Sequence, residues 1–397
     1  MERALDDVKI LDLSRVQAGP SCAQMLAFLG ADVIKVEDTD GGDRTRWEMA
    51  HQEGVDSVYF TIFNNNKRGI TLNLKTERGR ELLTGLVKWA DVVLENYSKG
   101  VMDRLGFPYE RLKEIKPDII HASIKGFGEY GPWSQYRSFE TAAQATGGLM
   151  ASNGVTDGPP MSAPIGAGDS GTGVHMAVGI LAALRHRDRF GEGQHVEVSM
   201  QDGIVNLMRI RLIRTLSVND VNQRGGSFMG RVPNVFPSSP GGYDDYVMIH
   251  SRGILWESIL AVIGRDDLIG DERYATDELR AERRDEVVEI ISDWTTKRTK
   301  YEAFEALASA GVWSGAVLSP SEVVENEHLI EREMIVDVED PARGNYKMIG
   351  CPIKMEKGPA KVTPAPRYSE HTEEILMDML DVTPDELPEL REQGVIV

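Results

Sequence analysis

The chain has 397 residues, 41% of them hydrophobic, so it is long enough for two or three domains with sizeable cores. Its 44 basic and 63 acidic residues give a net charge of −19, which disfavours binding to nucleic acid or to an anionic membrane. Only two cysteines occur, no histidine pair has a metal-binding spacing, and no apolar run is long enough to span a membrane. We therefore expect a cytoplasmic protein without disulfides, a metal or a membrane segment.

Short apolar strands alternate with helical segments through the first half of the chain. This alternation predicts a Rossmann-like α/β domain, in which a parallel sheet is covered by helices on both faces. Strands are predicted at 8–13, 32–37, 69–74, 91–95, 117–124 and 191–199, and helices at 22–29, 76–88, directly after Asp169, and from 200 to about 216. No Gly-x-Gly-x-x-Gly follows the first strand, so a dinucleotide cofactor is disfavoured. Ligands of such sheets bind at the carboxyl ends of the strands, which makes the loops at Gln17, Asn96 and Gly126 candidate binding loops.

The pattern changes twice in the second half of the chain. Residues 218–245 are rich in glycine and proline and show little periodicity, which indicates a linker into a second, smaller α+β domain. That domain is predicted to contain a strand at 246–250 and helices near 254–263, 284–296 and 300–310. A strand near 334–338 begins a last segment, which ends in a helix from Glu370 and a short capped helix after Thr383. The predicted boundaries divide the chain into residues 1–215, 216–325 and 326–397.

Asp169 lies in the glycine-rich run 166–173, directly before a long apolar-periodic segment. Two interpretations are open. In the first, Asp169 is a helix N-cap whose carboxylate accepts a hydrogen bond from a backbone amide of the first turn. In the second, the carboxylate is a nucleophile that the helix dipole keeps ionised and that the glycines leave accessible.

Several basic residues follow or precede predicted strands. Lys67 and Arg68 are interpreted as a solvated polar turn. Arg104 can either bind a phosphate bidentately or pair with a neighbouring acid, and Arg137 lies in a loop before the helix that starts near Glu140. Together these residues supply the cations that an anionic ligand needs in a chain of net negative charge.

Eight runs of the sequence resemble class III CoA-transferases, the CaiB/BaiF type. The runs are LDLSRVQAGP (11–20), LGADVIKVE (29–37), NKR (66–68), ADVVLENY (90–97), KGFG (125–128), GD (168–169), GEGQHV (191–196) and PRYSEHT (366–372). Three further runs, VQAGP (16–20), YFT (59–61) and DGPP (157–160), are most similar to the formyl-CoA transferase branch.

The resemblance implies an interlocked homodimer of ring-like subunits, in which both chain ends build the large domain and the middle builds the small one. It implies transfer of CoA from an acyl-CoA thioester to a small carboxylic acid, with CoA as a substrate and no permanently bound cofactor. The donor and acceptor could be formyl-CoA and oxalate, or succinyl-CoA and another small carboxylate. Asp169 is then the catalytic residue, which forms an acyl–aspartyl anhydride and an aspartyl-CoA thioester, while amides of the adjoining glycines stabilise the oxyanions.

The resemblance also assigns the CoA contacts by position. They are Gln17, Ala18, Leu72, Asn73, Leu74, Lys75, Asn96, Tyr97, Ser98, Arg104, Arg137, Ser138, Phe139 and Glu140. Two features depart from the family: Asp38 stands where a basic residue is expected, and glycine pairs at 225–226 and 241–242 replace a run of four glycines.

Two other functions compete with CoA transfer. An α-methylacyl-CoA racemase of the same fold needs a histidine paired with the aspartate, yet no histidine lies between His121 and His175. A non-catalytic CoA-binding protein would have no use for an intact Asp169 among its glycines. Both alternatives are therefore disfavoured.

Overall fold

The computed structural model describes residues 3–155, 158–218, 232, 234–251 and 253–397. The strands are β1 (Lys9–Asp12), β2 (Asp32–Glu37), β3 (Arg68–Thr71), β4 (Val92–Glu95), β5 (Ile120–Lys125), β6 (His195–Ser199), β7 (Val235–Pro237), β8 (Tyr246–Ile249), β9 (Ser314–Ala316), β10 (Ile335–Asp340) and β11 (Gly344–Ile349). The helices are α1 (Ala18–Phe28), α2 (Val58–Asn64), α3 (Glu77–Trp89), α4 (Val101–Leu105), α5 (Tyr109–Ile115), α6 (Glu140–Thr146), α7 (Leu149–Ser152), α8 (Ser170–Phe190), α9 (Met200–Leu207), α10 (Arg209–Val218), α11 (Leu255–Ile263), α12 (Asp277–Glu282), α13 (Arg284–Thr295), α14 (Lys300–Ser309), α15 (Pro320–Glu325), α16 (Glu327–Glu331), α17 (Thr372–Leu380) and α18 (Leu387–Glu392). A 3-10 turn (Arg44–Arg46) lies between β2 and α2.

The first six strands form one parallel sheet in the order β3-β2-β1-β4-β5-β6. This is the Rossmann strand order, so the predicted α/β class and parallel sheet are confirmed. Leu11 at the centre of β1 lies opposite Ile34 of β2 and Val93 of β4. The strand order reverses between β1 and β4, where the carboxyl ends of the strands leave a crevice.

Apolar side chains cover both faces of the sheet, because successive residues of a strand point to opposite sides. On one face, Ile10 and Val92 pack with residues of α1, α8 and α9. On the other face, Leu11 and Val93 pack with residues of α3, α5, α17 and α18. The C-terminal helices therefore belong to the core of the parallel sheet.

Two predicted elements differ from the structure, one in its end and one in its continuity. The strand predicted at 69–74 ends at Thr71, because the Asn73 amide leaves the sheet and donates to the carbonyl of Val395. The helix predicted at 200–216 is divided into α9 and α10 at Met208, whose amide bonds the carbonyls of Ile204 and Val205. Neither interruption has a glycine or proline to announce it.

Contacts between residues divide the chain into two compact units. The larger unit comprises Met1–Ser152, Met161–Asn222 and Ile330–Val397, and it contains the parallel sheet and the β10–β11 hairpin. The smaller unit comprises Asn153–Pro160 and Gln223–Leu329. In it, the antiparallel sheet β7-β8-β9 packs with α11, α13 and α14 around side chains such as Phe236, Ile259 and Leu307. The boundaries predicted after residues 215 and 325 stay predictions, because contact density does not show where independently folding units end.

Two sequence features fall on residues outside the described ranges. These are the glycine pair 225–226 and position 157 of the DGPP run. Within the described ranges, no helix has both the length and the apolarity needed to cross a membrane.

Candidate active site

A cleft of about 480 Å³ opens at the carboxyl ends of β1, β4 and β5. The loops that follow these three strands form its walls, together with the segment 134–139 and Asp169. Its lining residues are Arg15, Val16, Gln17, Ala18, Asn96, Tyr97, Ser98, Lys99, Arg104, Ile124, Lys125, Gly126, Gly128, Ser134, Gln135, Tyr136, Arg137, Ser138, Phe139, Asp169 and Met200. The predicted binding loops at Gln17, Asn96 and Gly126 therefore all border this cleft.

Side-chain hydrogen bonds hold the loops after β1 and β4 together. The Asn96 side chain accepts from the Arg15 amide and donates to the Arg15 carbonyl, both at 2.8 Å. Val16 has φ of 66°, which is a strained conformation for a β-branched residue. The Asp43 carboxylate holds that backbone by accepting from the Val16 amide at 3.0 Å. Gln17, the next residue, donates its side-chain amide to Ser170 Oγ at 2.9 Å and so reaches the start of α8.

Asp169 occupies the N-cap position of the 21-residue helix α8, but its side chain makes no capping hydrogen bond. The interpretation of Asp169 as a hydrogen-bonding cap is therefore wrong. Its half-buried carboxylate instead lines the cleft. The structure leaves this carboxylate available for chemistry at the helix N-terminus.

Glu140 fixes the backbone that carries Asp169. Its carboxylate accepts from the amide of Gly168 at 3.0 Å and from the amide of Asp169 at 2.7 Å. Gln144, one turn further along α6, donates to the same carboxylate at 2.7 Å. A negative charge therefore lies directly beneath the loop, close to the Asp169 side chain.

Burial and the Glu140 charge together raise the pKa of Asp169 from 3.8 to about 6, and Arg44 opposes them only in part. Burial and Glu140 therefore make the charge of Asp169 less favourable than in water, but a pKa of about 6 still leaves most of the carboxylate ionised at neutral pH. A carboxylate with a raised pKa is also more basic, and so a better nucleophile once it is ionised.

We expect the second-order rate constant with acyl-CoA to fall about tenfold per pH unit below pH 6, because only ionised Asp169 can attack. A pH profile of kcat/KM between pH 4.5 and 8 measures this acidic limb. Glu140→Gln keeps the size of the side chain but removes its charge, so the limb should move to lower pH. An acidic limb at the same pH in both proteins would contradict the assignment to Asp169.

Gly168 packs closely against Ala143 and Glu140. A Cβ atom on Gly168 would lie 3.0 Å from Ala143 Cβ and 3.3 Å from Glu140 Oε2. Any side chain at this position would push against the carboxylate that holds the loop. Glycine at this site is thus explained by packing beneath Asp169.

Three of the glycine amides near Asp169 are not free to bind an oxyanion in this structure. They already have acceptors, with Gly168 on Glu140, Gly171 on the carbonyl of Gly166, and Gly173 on the carbonyl of Asp169. The predicted role of these amides is therefore not supported. The side-chain amide of Gln17, which lines the same cleft, is a donor that sequence reasoning had assigned only to CoA.

The structure brings nine of the fourteen predicted CoA contacts into the cleft. They are Gln17, Ala18, Asn96, Tyr97, Ser98, Arg104, Arg137, Ser138 and Phe139. Glu140 lies behind the cleft under Asp169. The remaining four lie beyond β3, where Leu72 is buried in the core, the Asn73 side chain donates to the carbonyl of Gly394, Leu74 is half-buried and Lys75 is exposed.

The cleft contains cations that the sequence reasoning missed. Arg15, Lys99 and Lys125 line it beside the predicted Arg104 and Arg137. Lys125 is committed to the buried carboxylate of Glu95 at 2.6 Å. The signal was proximity in sequence, since Lys99 directly follows Ser98 and Arg15 lies two residues before Gln17.

Arg15 lies close to the position where the family pattern departs. Its guanidinium is 3.8 Å from the Asp38 carboxylate and stacks over the Tyr97 ring at 5.3 Å. A positive charge therefore remains at this end of the cleft even though residue 38 is acidic.

Lys67 is buried, so its assignment to a solvated turn is wrong. Its ammonium donates to Asp12 Oδ2 at 2.9 Å, to the carbonyl of Pro20 at 3.0 Å, and to Asn64 Oδ1 at 2.8 Å. Arg68 is half-buried and pairs with Asp32 at 2.6 Å. Neither cation is available to a ligand in the cleft.

The chain belongs to CoA-transferase family III, whose family model matches residues 5–372. It is therefore a CoA-transferase, as the resemblance implied. Among curated relatives, the formyl-CoA:oxalate CoA-transferase of Streptomyces coelicolor is 40% identical over 409 residues and is matched over 99% of both chains. The enzyme of the same name from a Bradyrhizobium species is 40% identical over 417 residues, covering 100% of this chain and 98% of the relative.

Solved structures agree on the fold. A CAIB/BAIF family protein from Brucella suis is 31% identical, with a TM-score of 0.85 over 96% of this chain and 100% of the other. The Rv3272 protein of Mycobacterium tuberculosis is 27% identical, with a TM-score of 0.79 over 94% of this chain and 98% of the other. The suspected family is thus confirmed by sequence and by structure.

Proposed function

We propose that the protein moves CoA between small carboxylic acids by covalent catalysis at Asp169, with CoA thioesters as substrates and no permanently bound cofactor. The position of Asp169 carries this proposal. Its carboxylate lines the cleft without a capping hydrogen bond, on a loop whose amides are fixed by Glu140.

The proposed reaction has four acyl-transfer steps. A carboxylate oxygen of Asp169 attacks the thioester carbon, and the C–S bond breaks. CoA departs as a thiolate, and an acyl–aspartyl anhydride is formed on the enzyme. The thiolate then attacks the aspartyl carbon, which releases the first acid as a carboxylate and forms an aspartyl-CoA thioester. The second acid attacks this thioester through its own carboxylate oxygen and expels the thiolate, forming a new anhydride. The thiolate attacks the new acyl carbon, so the product acyl-CoA and the free Asp169 carboxylate are formed without uptake of a proton.

Formyl-CoA and oxalate are the proposed donor and acceptor, since the curated relatives carry these substrates in their names. Succinyl-CoA and other small carboxylates are the second choice. Incubation with formyl-CoA alone, followed by rapid quenching and peptide mass spectrometry, should show formyl or CoA attached to Asp169. CoA transfer without any adduct on Asp169 would contradict the mechanism. An α-methylacyl-CoA racemase remains the alternative. Incorporation of deuterium from heavy water at the α-position of a branched acyl-CoA would reveal that activity.

We assign the CoA phosphates to Arg104 and Arg137. Both are exposed at the cleft, and their guanidinium groups have no ion-pair partner among the described residues. The substitutions Arg104→Gln and Arg137→Gln each remove the charge. Each should raise the KM for acyl-CoA about tenfold, because a charge-assisted hydrogen bond contributes about 1.5–3 kcal/mol to binding. Arg111→Gln, which removes an exposed arginine paired with Glu114, is the matched control and should leave KM unchanged.

The same variants test the phosphate assignment with pantetheine thioesters, which lack the nucleotide part of CoA. The difference between wild type and Arg104→Gln should disappear with these truncated donors. An equal defect with both kinds of donor would show that Arg104 acts on the fold or on the reacting end. Contacts from Leu72, Asn73, Leu74 and Lys75 remain part of the proposal, at the far end of the ligand.

We also propose that the protein is an interlocked homodimer. In support, apolar side chains are exposed along helices of the larger unit, namely Val174 and Val178 on α8, Val205 and Leu207 on α9, and Ile210, Ile213 and Leu216 on α10. Exposed apolar surface of this extent marks an interaction site. Sedimentation equilibrium should give twice the chain mass of 44.0 kDa at all accessible concentrations, and a stable monomer would contradict the proposal.

The proposed location is the cytoplasm. The two free thiols, Cys22 and Cys351, are in keeping with this location.

A further inference from the structure

The 3-10 turn (Arg44–Arg46) carries two arginines with different surroundings. Arg46 is buried, and its guanidinium bonds Glu37 and Asp56, both at 2.6 Å. Arg44 is exposed, and its ion pair in the described part of the chain is with Glu48 at 3.4 Å. Arg46 therefore stabilises the fold, while Arg44 keeps donors for another anion.

The position of Arg44 is fixed by the backbone on which it stands. Asp43 caps the turn by accepting from the Thr45 amide at 3.1 Å. The other oxygen of Asp43 accepts from Val16 at 3.0 Å and pairs with the buried ammonium of Lys35 at 3.1 Å. The turn is thus tied to the loop that carries Gln17, and this fixes the backbone from which the Arg44 side chain extends.

Arg44 is directed towards the catalytic end of the cleft. Its guanidinium lies over the ring of Phe139, a lining residue, at 5.8 Å from the centroid. Its charge lowers the pKa of both Asp169 and Tyr59, although burial and neighbouring acids raise each of them overall. Asp169 is not an ion-pair partner of Arg44 in the described part of the chain, so the guanidinium is near the nucleophile without neutralising it.

An acceptor acid with two carboxylates brings a second negative charge into the cleft beside Asp169. One carboxylate must reach the Asp169 thioester, and the second keeps its negative charge through every step. The acids already present, Glu140 and Glu48, repel that charge. A dicarboxylate can therefore bind well beside Asp169 only if a cation receives its second carboxylate.

We propose that Arg44 binds the non-reacting carboxylate of a dicarboxylate acceptor and so selects dicarboxylates over monocarboxylates. The inference rests on the proposed reaction at Asp169. Arg44 takes no part in bond making or breaking. It exchanges the exposed contact with Glu48 for a bidentate contact with the acid, and the planar guanidinium suits the carboxylate geometry.

The test is a comparison of acceptors with wild type, Arg44→Gln and Arg44→Lys, using formyl-CoA as the donor. Acceptors are paired by size, oxalate with acetate and succinate with butyrate, and kcat/KM is measured for each acid. The ratio of dicarboxylate to monocarboxylate kcat/KM should fall about 10- to 100-fold in Arg44→Gln. Arg44→Lys should recover part of the ratio, because it restores the charge without the bidentate geometry.

Two controls separate specificity from structure. Arg111→Gln removes an exposed arginine whose ion pair with Glu114 is 2.8 Å long, and it should leave the ratio unchanged. Glu48→Gln removes the competing anion and should raise the ratio. A ratio that is unaffected in Arg44→Gln, or that changes equally in Arg111→Gln, would overturn the proposal.

Failure of the proposed function looks different from failure of this inference. Wild type that forms no adduct on Asp169 with formyl-CoA would refute the transfer mechanism itself. Wild type that forms the adduct and transfers CoA, but has the same acceptor ratio as Arg44→Gln, would refute only the role of Arg44.

Discussion

Asp169→Ala is expected to lower CoA transfer by roughly 10⁴-fold or more, because it removes the atom that forms both covalent intermediates. Glu140 cannot take over, since its carboxylate is occupied by the amides of Gly168 and Asp169 at 3.0 and 2.7 Å. Steady-state transfer from formyl-CoA to oxalate measures the loss. Peptide mass spectrometry should show that the adduct is absent from the variant.

The control for this experiment is CoA binding. The alanine variant should bind CoA with a Kd close to that of wild type, because the cationic residues of the cleft are unchanged. If Asp169→Ala retained more than a few per cent of transfer activity while binding CoA normally, another group would have to be the nucleophile.

Asp169→Asn tests the same carboxylate through stability. The folded-state pKa of Asp169 is about 6, above the ordinary 3.8, so the folded protein favours the protonated form. The ionised group therefore destabilises the fold fully above pH 6, and this penalty disappears as pH falls through the window from 6 to 3.8. The full penalty corresponds to about 3 kcal/mol at most. The asparagine variant should be inactive but should melt at a higher temperature than wild type at pH 7.5, with a smaller difference near pH 4.5.

The raised pKa of Asp169 also means that the catalytic carboxylate lowers the stability of the folded protein. Burial beside Glu140 makes Asp169 a stronger base, and the same environment makes its charge unfavourable for stability. Residues that serve catalysis often have this relation to stability. Equal stability of wild type and Asp169→Asn at all pH values would show that Asp169 is better solvated than its surroundings indicate.

The parallel sheet and the cleft could be predicted because their signals are local. Strands such as β1 and β4 are apolar on both faces, and this pattern is typical of a sheet covered by helices. Once the sheet is parallel, the carboxyl ends of its strands must meet at one edge. The loops at Gln17 and Asn96 do line one cleft, as this rule predicts. The glycines and the helix around Asp169 left two interpretations open, and its catalytic role, which came from the family resemblance, stays a prediction.

The ion-pair partners of the charged residues could not be predicted, because these partners are far away in sequence. Lys67 has the polar sequence neighbours that are typical of a turn residue, yet its buried partner Asp12 is 55 residues earlier. The Asn73 segment is drawn away from the cleft by Val395, near the other end of the chain. Arg44 and Arg46 are two residues apart and identical in type, but only tertiary packing decides that Arg46 is buried and Arg44 faces the site. Local sequence predicts that such residues are charged, but not what neutralises them.

Lys67→Met is expected to destabilise the protein by about 3–5 kcal/mol, because it leaves the buried carboxylate of Asp12 without its ammonium partner. Burial alone would raise the pKa of Asp12, but Lys67 and Lys35 hold it below its ordinary value, so the carboxylate stays charged. The substitution also removes the hydrogen bonds that the ammonium donates to the carbonyl of Pro20 and to Asn64 Oδ1. The urea midpoint, compared at constant m-value, measures the effect.

Arg68→Met is the matched control at the neighbouring position. Its ion pair with Asp32 is only partly buried, so its loss should change stability by less than about 1 kcal/mol. The double variant Asp12→Leu with Lys67→Met should be more stable than Lys67→Met alone, because no unpaired charge then remains in the core. An equally small loss of stability in Lys67→Met and Arg68→Met would show that the ion pair of Asp12 with Lys67 is solvated. The pair would then contribute less to the stability of the loop after β1 than its burial indicates.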